Sequence, residues 1–68
     1  MEVLNMMAIK KYRDKIGMSQ QTLAEKLQVT QGAVSQWEAG RTVPQISKLR
    51  ELAKIFDCTV DDLLKDTA

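Results

Sequence analysis

Two runs of helical apolar periodicity lie almost back to back in residues 20–40, QQTLAEKLQVTQGAVSQWEAG. In the first, Leu23, Ala24 and Leu27 share one side; in the second, Val34 and Trp37 do. Ser19 is a good N-cap for a helix over Gln20 to Leu27, and Thr30 for one over Gln31 to Glu38. Only Gln28 and Val29 are left to make the turn between them. Two helices joined so briefly must cross steeply and pack on each other. The crossing needs a small residue at closest approach, which Ala24 supplies, while Leu27 and Val29 bracket the turn from inside. The rest of the chain then has to provide a core behind this pair.

An all-α fold follows, since Gly and Pro are few and no β-branched run alternates with polar residues. A first helix is expected from about Asn5 to Ile16, with Ile9, Tyr12 and Ile16 facing inward and Gly17 as its C-terminal glycine. Ala39 to Val43 reads as a loop. Pro44 stands at or just before the start of a fourth helix, where its missing N–H costs nothing. That helix reaches about Phe56 and turns Ile46, Leu49, Leu52, Ala53 and Phe56 inward. Thr59 caps a last short helix whose first turn holds Asp61 and Asp62, favourable to the helix dipole, and Leu63 and Leu64 close the core. Sixty-eight residues make a single domain over 1–68, a five-helix globule with mostly local contacts and fast folding.

Composition removes several function classes. There is no histidine and a single cysteine, Cys58, so neither a zinc site nor a Cys–His catalytic pair is expected, and no cofactor is. Without a convergent nucleophile and base, an enzyme is not expected either. The opening Met-Glu-Val-Leu-Asn lacks the basic start and apolar run of a signal peptide, and no segment is apolar enough for a membrane span. A cytoplasmic protein is the expectation, and the lone cysteine agrees with a reducing compartment. The net charge of +1 conceals a dipolar layout. Residues 1–50 carry eight basic and four acidic residues, a net of +4; residues 51–68 carry two and five, a net of −3. Such an asymmetry can steer an anionic partner onto one end.

The second helix of the central pair leaves Gln31, Ser35 and Gln36 opposite its apolar face. Polar side chains there suit a helix laid against DNA base edges, N-terminal residues foremost. A Gln amide pairs in bidentate fashion with adenine, donating to N7 and accepting from the N6 amino group. Gln36 lies five residues beyond Gln31, about 140° around the helix, within reach of a second base pair. Gly32 costs ~1 kcal/mol of helix propensity against Ala, a cost that close approach of backbone to DNA would explain.

At the level of whole motifs the chain resembles the Cro/C1-type helix-turn-helix domains, the lambda-repressor-like family of phage repressors and their bacterial relatives. The residues that carry the resemblance are Ile9-Lys10-Lys11-Tyr12-Arg13, Met18 to Leu27 (MSQQTLAEKL), Val34 to Gly40 (VSQWEAG), Pro44, and Leu49 to Ala53 leading into Val60 to Leu64. The resemblance implies five helices with the second and third as reading head, and binding to double-stranded DNA as a dimer on a pseudo-palindromic operator. By position it implies base-reading or groove-facing roles for Gln31, Gly32, Ser35 and Gln36. It implies phosphate contacts for Gln20, Thr30, Arg41 and Thr42, with Lys10 a weaker candidate. Arg13 and Glu38 match a structural ion pair joining the first helix to the end of the third. Two positions depart from the pattern. Gln28 stands where a left-handed glycine is common, at a steric cost of about 1 kcal/mol, and Cys58 stands where a small aliphatic residue is usual.

Simpler roles account for other residues. Trp37 falls in register with the core, the methionines (Met1, Met6, Met7, Met18) serve as tail and gap-fillers, and Cys58 is a small hydrophobe whose neighbour Asp57 opposes a thiolate. The leading expectation is a sequence-specific DNA-binding transcriptional regulator, a repressor. The alternative is an antitoxin or other protein-interaction module that meets a partner such as a toxin through the acidic residues 57–66. A weak homodimer would form through Val60, Leu63 and Leu64 or through the loop around Val43.

Overall fold

Four helix endings organise this molecule, and all four use one piece of geometry. In the computed structural model, which describes residues 7–64, five α-helices follow in order: α1 Met7–Lys15, α2 Gln20–Leu27, α3 Gln31–Glu38, α4 Ile46–Phe56 and α5 Val60–Leu64. Each of α1 to α4 ends on a residue in the left-handed region: Gly17, Gln28, Gly40 and Asp57. At each end this residue donates to the carbonyl three back, and its successor donates to the carbonyl five back. For α2 these bonds are Gln28 to Glu25 at 3.2 Å and Val29 to Ala24 at 3.0 Å. This is the Schellman motif, which satisfies orphan carbonyls and buries an apolar successor against the helix it has just left. Met18, Val29 and Cys58 are those successors after α1, α2 and α4, and all three pack on the core. The expected left-handed glutamine is therefore present, at φ 59° and ψ 44°, and Asp57 at φ 55° is a second non-glycine of the same kind.

The helix starts follow the sequence closely. The Ser19 hydroxyl accepts from the Thr22 N–H, and the Thr30 hydroxyl from the Ala33 N–H. Thr59 and Asp62 cap α5 reciprocally: Thr59 N–H donates to the Asp62 carboxylate at 3.1 Å, and Asp62 N–H to the Thr59 hydroxyl at 3.0 Å. Gln45 occupies the N-cap of α4 without a side-chain bond, and Pro44 just before it is buried.

One core sits behind α2 and α3. It gathers Ile9 from α1, Leu23, Ala24 and Leu27 from α2, Val34 and Trp37 from α3, Leu49, Leu52, Ala53 and Phe56 from α4, and Leu63 from α5. α2 and α3 form the most extensive helix pair, with Ala24 fully covered in it. Tyr12 stacks on Phe56 with ring centroids 5.5 Å apart and donates to the Cys58 thiol. Burial, with Asp62 and Asp57 nearby, pushes that thiol up against the lowering effect of Tyr12, so Cys58 stays protonated and acts as a core residue.

The register expected for the core needs correction at two isoleucines. Ile16 is 49% exposed because α1 ends at Lys15; the chain then leaves the helix, and Met18 fills the place. Ile46 is 61% exposed although it is in phase with Leu49 and Ala53. It is the first residue of α4, and periodicity does not say where along a helix the covering neighbours stop. Ala8, buried at 2%, was not foreseen. Leu64 is half-buried at the edge of the core. Asn5, Met1 and Met6 lie outside the described residues.

Candidate nucleic-acid interface

The face of α3 away from the core is a short polar surface. Val34 and Trp37 turn inward, and Gln31, Gly32, Ser35 and Gln36 are all exposed on the other side. These are the four residues expected to face the groove. Gly32 is the informative one. A Cβ built there would meet only the Thr30 hydroxyl, at 3.8 Å, an ordinary contact, and its backbone is not left-handed. Nothing inside the protein requires a glycine at this position. What its missing side chain leaves open is the outer surface.

Behind this surface runs a polar relay. The Arg13 guanidinium donates from Nε to Glu38 Oε2 at 2.8 Å and from Nη2 to Glu38 Oε1 at 3.1 Å. Its third bond, from Nη1 to the Met18 carbonyl at 2.8 Å, ties α1 to the start of the α2 segment. Glu38 is 7% exposed, the one buried charged residue among the described residues. Gln20 Nε2 donates to Glu38 Oε1 at 3.0 Å, and Gln31 Nε2 points at Gln20 Oε1 at 3.5 Å. The ion pair between Arg13 and Glu38, expected from the resemblance, is thus present, and it continues to the tip of α3. Burial by itself would raise the Glu38 carboxyl, but hydrogen bonds from Arg13 and Gln20, with the charges of Arg13 and Lys10, outweigh it and hold the group below the ordinary range.

The residues expected at phosphates come from α1, the starts of α2 and α3, and the loop after α3. Lys10, Thr30, Arg41 and Thr42 are exposed and Gln20 is half-buried. Thr30 spends its hydroxyl lone pair on the cap and keeps its O–H as a donor. Gln20 spends one amide N–H on Glu38 and retains the second. Arg41 follows the left-handed Gly40 and donates its N–H to the Gln36 carbonyl at 3.0 Å. It is the successor in the fourth Schellman ending, and unlike Met18, Val29 and Cys58 it is exposed and charged. The helix that carries the polar face is the one whose exit points a cation outward.

Other basic residues do structural work that charge counting missed. The Lys48 ammonium on α4 donates to the Leu27 carbonyl at 2.7 Å and pairs with Glu51 at 3.2 Å. A cation at the last carbonyl of α2 suits the negative end of that helix and fastens the turn to α4. No local pattern marks Lys48 for this, because its partner lies 21 residues away. The acidic end is partly committed as well, Asp62 to its cap. Residues 65–66 of that segment lie outside the described residues. Of the residues expected at a dimer contact, Leu63 is fully buried, Val60 and Leu64 are half-buried, and Val43 is 49% exposed. Among the described residues no three His, Cys, Asp or Glu converge on a metal position, and no helix is long and apolar enough to cross a membrane.

Comparison with known proteins agrees with this geometry. A helix-turn-helix family profile matches residues 9–63. The HTH-type transcriptional activator BcrR of Enterococcus faecalis is 40% identical over 47 residues, 69% of this chain and 23% of the activator. The P22 c2 repressor, crystallised with a synthetic operator, superposes with a TM-score of 0.82 at 36% identity, covering 87% of this chain and 89% of the repressor. SinR, a regulator of biofilm formation crystallised with DNA, gives a TM-score of 0.78 at 33% identity, covering 87% and 95%. The chain spans between 23% and 55% of the length of the curated relatives it matches.

Proposed function

This chain belongs to the Cro/C1-type helix-turn-helix family, a family of DNA-binding transcription regulators, and we propose that it is itself a sequence-specific repressor that reads an operator half-site through the N-terminal end of α3. The observation that carries the reading is the exposed polar face of Gln31, Gly32, Ser35 and Gln36 set directly over the buried Val34 and Trp37. In this reading the amides of Gln31 and Gln36 meet base edges, and the bare backbone at Gly32 lies against the groove. Affinity comes mainly from phosphates, through Lys10, Gln20, Thr30, Arg41 and Thr42, and specificity from Gln31 and Gln36. Gln20 also stands at the N-terminus of α2, where free backbone N–H groups and the helix dipole favour a phosphate.

Two copies on a pseudo-palindrome place their α3 helices about one helical turn apart, ~34 Å. Val43 and Ile46, exposed on either side of the buried Pro44, are the apolar residues offered to that second copy. So small a patch gives a weak dimer in free solution, completed on DNA. Repression then needs no further device, since a bound dimer covers the operator.

Selection of bound DNA from a random pool with the purified chain tests this reading. A half-site repeated with two-fold symmetry, bound less tightly as salt rises, is the expected result; a pool that stays random sinks it. A second reading, a protein-interaction module, draws on SinR, which forms a complex with the SinI protein. The acidic residues Asp57 and Asp61, both exposed, would be its contact surface. A stoichiometric protein partner bound without DNA, alongside a pool that stays random, favours it.

A further inference from the structure

One hydrogen bond clasps the two ends of the segment from Leu27 to Lys48. Leu27 is the last residue of α2, and the left-handed Gln28 then turns the chain away from the helix. The Leu27 carbonyl accepts from the Lys48 ammonium at 2.7 Å, 21 residues further along the chain. Lys48 stands half-buried in the first turn of α4, and Glu51 one turn on pairs with the same ammonium at 3.2 Å. A carbonyl at the negative end of one helix and a carboxylate on another thus hold the cation from two sides. Between the clasped ends lie α3 and residues 39–45, the loop that carries Arg41 and Thr42.

The two parts of this segment are held differently. α3 is fixed from behind by Val34, Trp37 and Glu38, all buried. The loop has no such backing at Arg41, Thr42 and Val43, three exposed residues in a row. Neither the Arg41 nor the Thr42 side chain has a hydrogen bond among the described residues. The loop is fastened at its ends instead. At its entry Arg41 N–H donates to the Gln36 carbonyl at 3.0 Å. At its exit Pro44 is buried, and the first turn of α4 reaches back to α2 through Lys48. Resting on the reading of Arg41 and Thr42 as phosphate contacts, we propose that Lys48 is a positioning residue for DNA binding: its clasp on the Leu27 carbonyl holds the loop at a fixed offset from the end of α2, and so sets where Arg41 meets the DNA backbone. A loop held in place beforehand spares the cost of ordering it on DNA. Lys48 itself need not touch DNA. Phosphate contacts carry affinity and not sequence information, so loss of the clasp weakens binding to every site alike and leaves the selected half-site unchanged.

The test is random-pool selection, then affinities for the selected operator under conditions where urea unfolding shows each chain fully folded. The chains are the parent, Lys48→Met, Arg41→Ala, the two substitutions together, and Lys54→Met. Lys48→Met keeps most of the stem and removes the donor. Lys54→Met takes the same charge from the exposed last turn of α4 and controls for net charge. Lys48→Met is expected to bind roughly fivefold more weakly, a size usual for coupled positions, with the half-site unchanged. In the Arg41→Ala background the same substitution is expected to cost far less, because the contact it positions has gone. Lys48→Arg, which retains a cationic donor, is expected to keep most of the affinity. A role confined to stability lowers the folded fraction and leaves the affinity of the folded chain alone. A direct phosphate contact from Lys48 costs the same with or without Arg41. An equal cost in both backgrounds therefore overturns the proposal, as does a loss matched by Lys54→Met, or no loss at all; each of these leaves operator selection intact. A pool that stays random overturns the DNA-reading role and the proposal with it, and an Arg41→Ala chain that binds like the parent overturns the phosphate role of Arg41 and the proposal with it.

Discussion

The two ends of the α3 reading face carry the same side chain in opposite circumstances. Gln31, at the first turn, is backed by Gln20, then by a buried carboxylate, then by a guanidinium reaching α1. Gln36, one and a half turns on, is exposed, and its amide forms no hydrogen bond within the described residues. A Gln has three side-chain torsions to order on binding, and ordering a rotamer-rich side chain costs about 0.5–1.5 kcal/mol. Gln31 has part of that ordering done beforehand by the fold; Gln36 has none. On the proposed reading of α3, the first end of the helix would discriminate among bases and the second would adapt to the sequence the first has selected.

The largest effect expected from breaking this contrast comes from its anchor. Glu38→Ala leaves the largely buried Arg13 guanidinium with only the solvent-exposed Asp14 carboxylate, 3.4 Å from Nη1, and breaking a buried pair costs about 3–5 kcal/mol. A domain of this size has little more than that to lose, so urea unfolding at neutral pH should show a midpoint near zero denaturant. The double variant Arg13→Met, Glu38→Leu should recover most of the loss. A Glu38→Ala chain that unfolds like the parent would mean that the relay has no anchor, and the contrast between the two glutamines would go with it.

Next come the glutamines themselves. Replacing Gln31 by Ala is expected to lower discrimination at one base pair by about 1–3 kcal/mol, the worth of a bidentate contact. Gln36→Ala should cost less, because its amide gives back the ordering entropy. Binding isotherms against single-base variants of the selected site measure both. Equal losses would erase the distinction.

Gly32 supplies a prediction with two signs. Gly32→Ala should stabilise the fold by up to ~1 kcal/mol, since nothing inside the protein meets the new methyl and Ala favours a helix. The same methyl stands on the face proposed to enter the groove and should weaken operator binding. Thermal unfolding and operator affinity, measured on one preparation, should therefore move in opposite directions. A variant improved in both would show that the backbone at Gly32 does not approach DNA.

Much of this was legible in the sequence because it is written locally. The α2 and α3 boundaries follow from the caps Ser19 and Thr30 and from a short turn, and the inward set Leu23, Ala24, Leu27, Val34 and Trp37 from one helical period. The left-handed Gln28 was legible only through family resemblance, as an unusual occupant of a glycine place. The losses were all non-local. Lys48 bonds a carbonyl 21 residues away, and Gln20 meets Glu38 across 18. Gln20 was expected at a phosphate, and its bond to Glu38 needs the packed fold before it can be seen. Ile16 and Ile46 failed because a period gives the angular face of a helix and not its ends.

The smallest effect is a titration. Arg13, Gln20 and Lys10 together hold the Glu38 carboxyl below its ordinary value despite burial. An unfolded Glu titrates near ~4.3, so the ion pair contributes its full stability above that value. Because the folded group titrates lower still, the contribution is lost as pH falls from there through the folded value. Urea midpoints should hold steady from neutrality down to about pH 5 on this account and decline below it. Other carboxylates decline too, and the double variant Arg13→Met, Glu38→Leu isolates the share of Glu38: the parent should lose stability relative to that variant as the pH drops. Within the same window the Gln20 amide loses the reason to keep its amino group inward. Acid should thus loosen Gln31 and leave Gln36 as it was, detectable as amide resonances of Gln20 and Gln31 that shift together with one midpoint while those of Gln36 stay still.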